Sequence, residues 1–309
     1  MNLHTSMGNL RLGNKAISAI DVIRTMHGGS QSHLMLCEDA TLCVVKFRTN
    51  PQHQRTLVNE FIVTRICESI GLSVPKCHVV NVPATLIATV PTITINHCRL
   101  YSEPCSADSH FGSQYAGGLM PGLVMDALPD IKLDAVSNLA EFAGILAVDK
   151  WTCNCDTRQA VFQRKPRQKK YRVLFIDNGF CFNGGEWAFP DKPIAGVYEH
   201  RRVYHQVTGW NSFEPWLSRI EAFTSESLWQ IVTEIPGDWY SHNLFAIEQL
   251  IESLVLRRPR VRELINRVRL FDPTYFTKWR AAPLGRPNLT RQCSTPLRAY
   301  FEAPPRMSA

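Results

Sequence analysis

The stretch VDKWTCNCDTRQAVFQ (148–163), read with YRVLFIDNGFCFN (171–183), decides how the rest of the chain is understood. In the first, Asp149 and Asn154 are separated by four residues; in the second, an apolar run from Tyr171 to Ile176 delivers Asp177 at its end. Such a set suits phosphoryl transfer. Asp149 is expected to accept the proton of an attacking hydroxyl, and Asn154 and Asp177 to offer oxygen ligands to a magnesium ion that bridges nucleotide phosphates. Taken singly, each residue reads equally well as a helix cap or a solvated turn, so the weight falls on what accompanies them.

Upstream, loose alternation from Ile17 to Arg24 predicts a strand, and HLMLC (33–37) a second. Between them Gly28, Gly29, Ser30, Gln31 and Ser32 form a turn whose glycines let backbone amides approach an anion, although an ordinary hairpin needs no more than this. TLCVVKFR (41–48) is β-branched and carries Lys46 among apolar neighbours, where an ammonium must snorkel or find an anion. The segment 54–70 places Leu57, Phe61, Ile62, Ile66 and Ile70 on one helical face and stops at Gly71. Glu60 borders that stripe and is the candidate partner for Lys46. Val74 to Ile95 reads as two or three further strands, and 97–121 as a loop. PGLVMDALPD (121–130) reads as an extended connector and lobe boundary, with Val124, Met125 and Ala127 as candidates to face an adenine edge.

Beyond the connector the pattern turns helical. Val136, Leu139, Phe142, Ala143 and Leu146 predict a buried helix ending at an Asp149 loop, followed by strands at 158–163 and 171–176. The turn RKPRQKK (164–170), with Arg172, is either a solvated hairpin tip or a docking patch for an anionic partner. NGFCFNGGEWAFPDKP (178–193) suits an ordered loop over a site, with no role evident for Glu186 or Trp187. Four helices are expected over 212–220, 225–235, 243–256 and 260–270. The arginines at 257, 258, 260, 262, 267 and 269 read as a solvated helical face, and residues from 273 as a loose tail.

Composition is that of an ordinary globular protein: 309 residues, 45% hydrophobic, 20% charged, with a net charge of +7 compatible with nucleotides or acidic partners. The ten cysteines sit mostly in apolar runs, which predicts reduced thiols and a cytoplasmic protein, and no apolar run is long enough to span a membrane.

In order, Gly29, Lys46, Glu60, Asp149, Asn154 and Asp177 reproduce the parts of a kinase, and the wording around them resembles the HipA-like kinase family. GGSQSHLML (28–36) resembles its phosphate loop, VVKF (44–47) its lysine strand, VNEFIVTRICESIGLSVP (58–75) its Asn-Glu helix, VDKWTCN (148–154) its catalytic loop and FIDNG (175–179) its metal-binding aspartate. The resemblance runs from about residue 18 to about residue 270. It implies an α+β, bilobal protein-kinase-like fold related to the phosphatidylinositol-kinase-like group. The β-rich lobe would span 1–128, the helical lobe 129–272 and a tail 273–309. It further implies an ATP- and Mg2+-dependent Ser/Thr protein kinase with a protein substrate. Two departures stand out: Lys150 and Trp151 follow the candidate base, and Asn178 stands where protein kinases place an aromatic residue.

Three other readings compete. A catalytically inactive nucleotide-binding module would lack one of the lysine, base or metal residues, and all are present. A nucleic-acid-associated regulator would show aromatic stacking or a reading helix, and neither is evident. A zinc site at Cys153, Cys155 and Cys181 suffers from one-residue spacing.

Overall fold

Two runs of alternating residues, Ile17–Thr25 (β1) and His33–Cys37 (β2), pair antiparallel around the glycine turn, and Leu42–Lys46 (β3) adds to β2. The computed structural model describes residues 16–98, 101–117 and 124–280. After β3, Thr56–Ser69 forms α1, and Cys77–Val82 (β4) returns beside β1 in parallel register, Ile17 opposite Val80. Ala84–Thr89 (α2), Thr94–Cys98 (β5) and Tyr101–Pro104 (β6) make a small appendage, with β5 and β6 paired to each other. Asp108–Gln114 (β7) then slots between β3 and β4 and closes the barrel in the order β1-β2-β3-β7-β4. Ala19, Met35, Cys43, Val45, Phe47 and Val80 fill its interior.

Two expectations fail here for identifiable reasons. The run expected to be two or three strands contains α2, which starts directly after Pro83, whose fixed φ favours a helix start. The run expected to be a loop contains β7, disguised by DSHFGSQ. Gly112 is required there: a Cβ at that position would sit 2.3 Å from the Val80 side chain.

Val124–Met125 (β8) leads into the second half, while Leu123, expected to begin that strand, lies outside the described residues. Asp130–Leu133 (α3) and Glu141–Trp151 (α4) follow, then the hairpin Gln159–Gln163 (β9) and Arg172–Ile176 (β10), giving a sheet in the order β10-β9-β8. Helices Trp216–Glu221 (α5), Ser225–Val232 (α6), Leu244–Arg257 (α7) and Val261–Phe271 (α8) complete this half. A single core joins α1, α4, the β8–β10 sheet and α5–α8.

Two further corrections bear on function. The helix expected to end before Asp149 starts later and runs on through Trp151, with every residue from Phe142 to Trp151 buried, so Asp149 lies inside a helix. The residues from Pro273 to Trp279 are not loose: Phe276 is buried and Trp279 packs on Trp210 and Phe213. Cys37, Cys43, Cys67, Cys105, Cys153, Cys155 and Cys181 form no disulfide, and no group of His, Cys, Asp and Glu suited to a metal ion occurs among the described residues. No described helix is long and apolar enough to cross a membrane.

Candidate active site

α1 is buried around most of its circumference, including Asn59 and Glu60, so both polar side chains need partners to offset desolvation. Glu60 finds Lys46 at the end of β3: Lys46 Nζ lies 2.5 Å from Glu60 Oε1 and 2.8 Å from Asp177 Oδ1. Asn178 and Gly179 donate their backbone N–H groups to Glu60 as well, at 2.9 and 3.1 Å. Asn59 Nδ2 donates to the carbonyls of Gly179, Cys181 and Gly184, and its Oδ1 accepts from Trp187 Nε1 at 2.8 Å. Adjacent residues of one helix therefore hold the β3 lysine and the whole turn after Asp177. That turn needs the support, because Asp177, Phe182, Asn183 and Trp187 all adopt positive φ. Trp187, for which the sequence suggests no role, is a clasp on Asn59 that also stacks beneath Arg55.

Burial opposes the charge on Lys46, but two flanking carboxylates outweigh it and raise its pKa. For Asp177, burial is likewise overcome, here by the Lys46 ammonium, which holds the carboxyl below the ordinary 3.8. Burial pushes Glu60 up against the pull of Lys46.

Asp149 belongs to a different arrangement. Its side chain and that of Arg158 are both fully buried; Arg158 Nε donates to Oδ2 at 2.9 Å and Nη2 to Oδ1. The rest of the guanidinium reaches the Ile176 carbonyl at 2.9 Å and Asn178 Oδ1 at 3.0 Å. Asn178 in turn donates to Thr64 on α1, so the polar residue in the position of an aromatic is a bridge between Arg158 and α1. Asn154 is equally committed: Nδ2 donates to Asp149 at 3.0 Å and Oδ1 accepts the N–H of Asp156 at 3.1 Å. The expectation that Asp149 receives a substrate proton and Asn154 a metal is corrected on these grounds. A sealed carboxylate with a bidentate guanidinium has no free oxygen to offer, and neither end of the Asn154 amide is free.

The carboxylate that does face solvent is Asp156, which the sequence reading passed over. It lies just before β9, whose Gln159 pairs with Ile176 on β10, so Asp156 and Asp177 sit at the same end of one hairpin. Its Oδ1 accepts the Thr157 N–H at 2.7 Å, and its carbonyl accepts from Gly196 at 2.8 Å. A signal was available: an acid immediately before a strand whose antiparallel partner ends in a second acid must share that end of the sheet.

The other expected positions divide. Gly28 has open space around it, while Ser30 and Ser32 are buried. The Gln31 amide is committed to Asn96, donating to its carbonyl at 2.7 Å and accepting its N–H at 2.8 Å. Val124 and Met125 are half-buried in register with Gln163 and Phe162, and Ala127 is exposed. The basic turn occupies the opposite end of the β9–β10 hairpin from Asp177, about 15 Å away at the usual rise per residue.

The profile of the HipA-like kinase family matches residues 19–183, more than half of the chain. The chain belongs to that family. This HipA-like kinase aligns with the proinflammatory kinase CtkA of Helicobacter pylori at a TM-score of 0.51 and 12% identity, over 83% of this chain and 99% of that one. A Golgi casein kinase solved with Mn/ADP aligns at 0.44 and 12% identity, over 86% and 75%. HipA of Shewanella oneidensis MR-1, solved with HipB and operator DNA, aligns at 0.38 and 11%, over 80% and 65%. Curated proteins return no match. The family match and the CtkA alignment establish an α+β kinase-like fold, and membership of a kinase family supports a protein-kinase-like phosphotransferase.

Proposed function

We propose that this protein is an ATP- and Mg2+-dependent kinase that phosphorylates a Ser or Thr hydroxyl of a protein substrate, with a nucleotide held between a barrel lobe ending near Leu128 and a helical lobe beyond it. The observation that carries the reading is Lys46, set between Glu60 and Asp177 by three separate segments of the chain. In this reading Glu60 keeps the ammonium in place, and Lys46 turns from Asp177 toward the nucleotide phosphates. The turn at Gly28 and Gly29 lies over those phosphates, and Val124, Met125 and Ala127 border the adenine. Asp177 suits a divalent ion, since its carboxylate is charged and its side chain 26% exposed, and Mg2+ is content with one or two carboxylates beside phosphates and water. When bound, the ion neutralises charge on the phosphate oxygens.

Asp156 takes the role of base. Its exposed carboxylate accepts the proton of the acceptor hydroxyl, and the Gly196 contact to its carbonyl fixes the loop that carries it. Asp149, paired with Arg158, holds the backbone of that hairpin end in place. A cytoplasmic location and an anionic partner at residues 164–172 belong to the same proposal. One observation favours a second reading, nucleotide binding without transfer: of the two expected metal ligands Asn154 is withdrawn, which leaves Asp177. Incubation with labelled ATP and Mg2+, with and without cell lysate, followed by mass spectrometry, separates the two. Label on Ser or Thr supports the kinase reading, and nucleotide binding without label supports the other.

A further inference from the structure

The segment that follows the Asp177 turn, residues 189–197, is held down by several charged side chains. Its acid, Asp191, accepts from Arg257 Nη1 at 2.8 Å and Arg260 Nη2 at 2.6 Å, and lies 3.1 Å from Arg267 Nη1. Burial works against the Asp191 charge, but the bonds from Arg260 and Arg257 hold its carboxyl below the ordinary range. Arg257 is itself buried and donates to the carbonyls of Lys150 and Phe189. Lys150, buried directly after Asp149, donates to Pro193 O at 2.6 Å and to Ala195 O. Cys153 Sγ approaches Pro190 O at 3.2 Å. Finally Gly196, at φ +73°, presses so close that a Cβ there would be 2.7 Å from Asp149 Cβ, and its N–H bonds to the Asp156 carbonyl.

The same stretch of sequence has a second property. From Asp177 to Val207 there is no serine or threonine, and both its tyrosines, Tyr198 and Tyr204, are buried. In many kinases the segment after the metal-binding aspartate is ordered only when a phosphate added to it meets an arginine cluster. Here the arginine cluster exists, an exposed hydroxyl to phosphorylate does not, and a carboxylate already occupies the arginines.

We propose that Asp191 is a positioning residue, a built-in counterpart of such a phosphate, which fixes residues 189–197 against the Asp156 loop and keeps the transfer site assembled without modification of that segment. The proposal rests on the reading of Asp156 and Asp177 as the transfer site. It also accounts for Arg257, Arg260 and Arg267, which look in the sequence like part of a solvated face.

The test compares Asp191→Asn, Asp191→Glu and the double variant Arg260→Gln/Arg267→Gln, whose arginines are partly exposed and whose loss leaves the buried Arg257 in place. Hydrogen exchange of residues 189–197 is followed in the nucleotide-free protein, and nucleotide affinity and transfer rate are measured separately. In Asp191→Asn and in the double variant, exchange should accelerate about tenfold in 189–197 while α4 stays protected. Transfer should fall about 10- to 100-fold with nucleotide affinity nearly unchanged, as misplacement of a catalytic loop predicts. Asp191→Glu should recover most of both. Unchanged exchange in Asp191→Asn overturns the proposal, and so does faster exchange with a wild-type transfer rate. If the wild-type protein transfers no phosphate at all, the transfer-site reading fails by itself, and the exchange comparison still decides whether Asp191 holds the segment.

Discussion

Two ion pairs stand within a few residues of each other in this molecule and differ in almost every physical respect. Arg158–Asp149 is sealed, with both side chains fully buried, bidentate, and backed by bonds from the same guanidinium to the Ile176 carbonyl and to Asn178. Lys46–Asp177 is partly open, with side-chain exposures of 10% and 26%, and its ammonium is shared with Glu60. An always-charged planar fork suits a permanent structural joint, whereas an ammonium on a flexible stem can exchange one anion for another. The acid inside the sealed pair belongs to the framework, and the acid at the open pair is available for chemistry.

The largest effect that would break this contrast is on folding. Arg158→Leu strands the Asp149 carboxylate in a dry interior, and the loss should be about 3–5 kcal/mol, read as a fall in the urea midpoint. Lys46→Met should cost less, about 1–3 kcal/mol, because Asp177 can rehydrate and the buried Glu60 keeps the Asn178 and Gly179 N–H groups. Equal losses would mean that the two pairs are equivalent.

A smaller effect concerns pH. Asp177 is held below 3.8, so its contribution to stability is complete above that value and disappears as pH falls through the lower folded value. Removing Lys46 leaves burial less opposed, and the Asp177 carboxyl should then titrate at a higher pH, observable by NMR of the labelled carboxyl carbon. A titration that does not move in Lys46→Met would show that Lys46 does not govern that charge.

The smallest effect is expected at the basic turn. Among the described ion pairs none involves Lys165, Arg167, Lys169 or Lys170, in contrast to the arginines around Asp191 and Glu263. Changing all four to Ser should shift stability by no more than about 0.5 kcal/mol. Binding of an acidic partner, if the turn provides it, should weaken in a salt-dependent manner. A stability loss of several kcal/mol would mean that the turn is part of the framework.

The sequence was most legible where period and punctuation agree. β1, β2, β3 and α1 read clearly because alternation, the glycine turn and the Gly71 stop all point the same way. β7 did not, since its place depends on Gly112 passing Val80 rather than on apolar alternation. Asp149 misled for a related reason. A polar Asp-Lys pair after an apolar helical run looks like a helix end, and only distant partners, Arg158 for Asp149 and the Pro193 and Ala195 carbonyls for Lys150, let the helix continue through both. Arg257, Arg260 and Arg267 look like a solvated face for the same reason, because the partner that neutralises them, Asp191, is far away in sequence. Partners distant along the chain leave no local pattern.

The most direct test of the central claim is calorimetry of Mg-ATP binding run beside single-turnover transfer for Lys46→Met and Asp156→Asn. The account predicts that Lys46→Met loses nucleotide affinity together with transfer. Asp156→Asn should bind Mg-ATP within about twofold of wild type while its transfer rate falls by about 10²–10⁴, the range of a positioned base. Wild-type transfer in Asp156→Asn, or intact nucleotide binding in Lys46→Met, would contradict it.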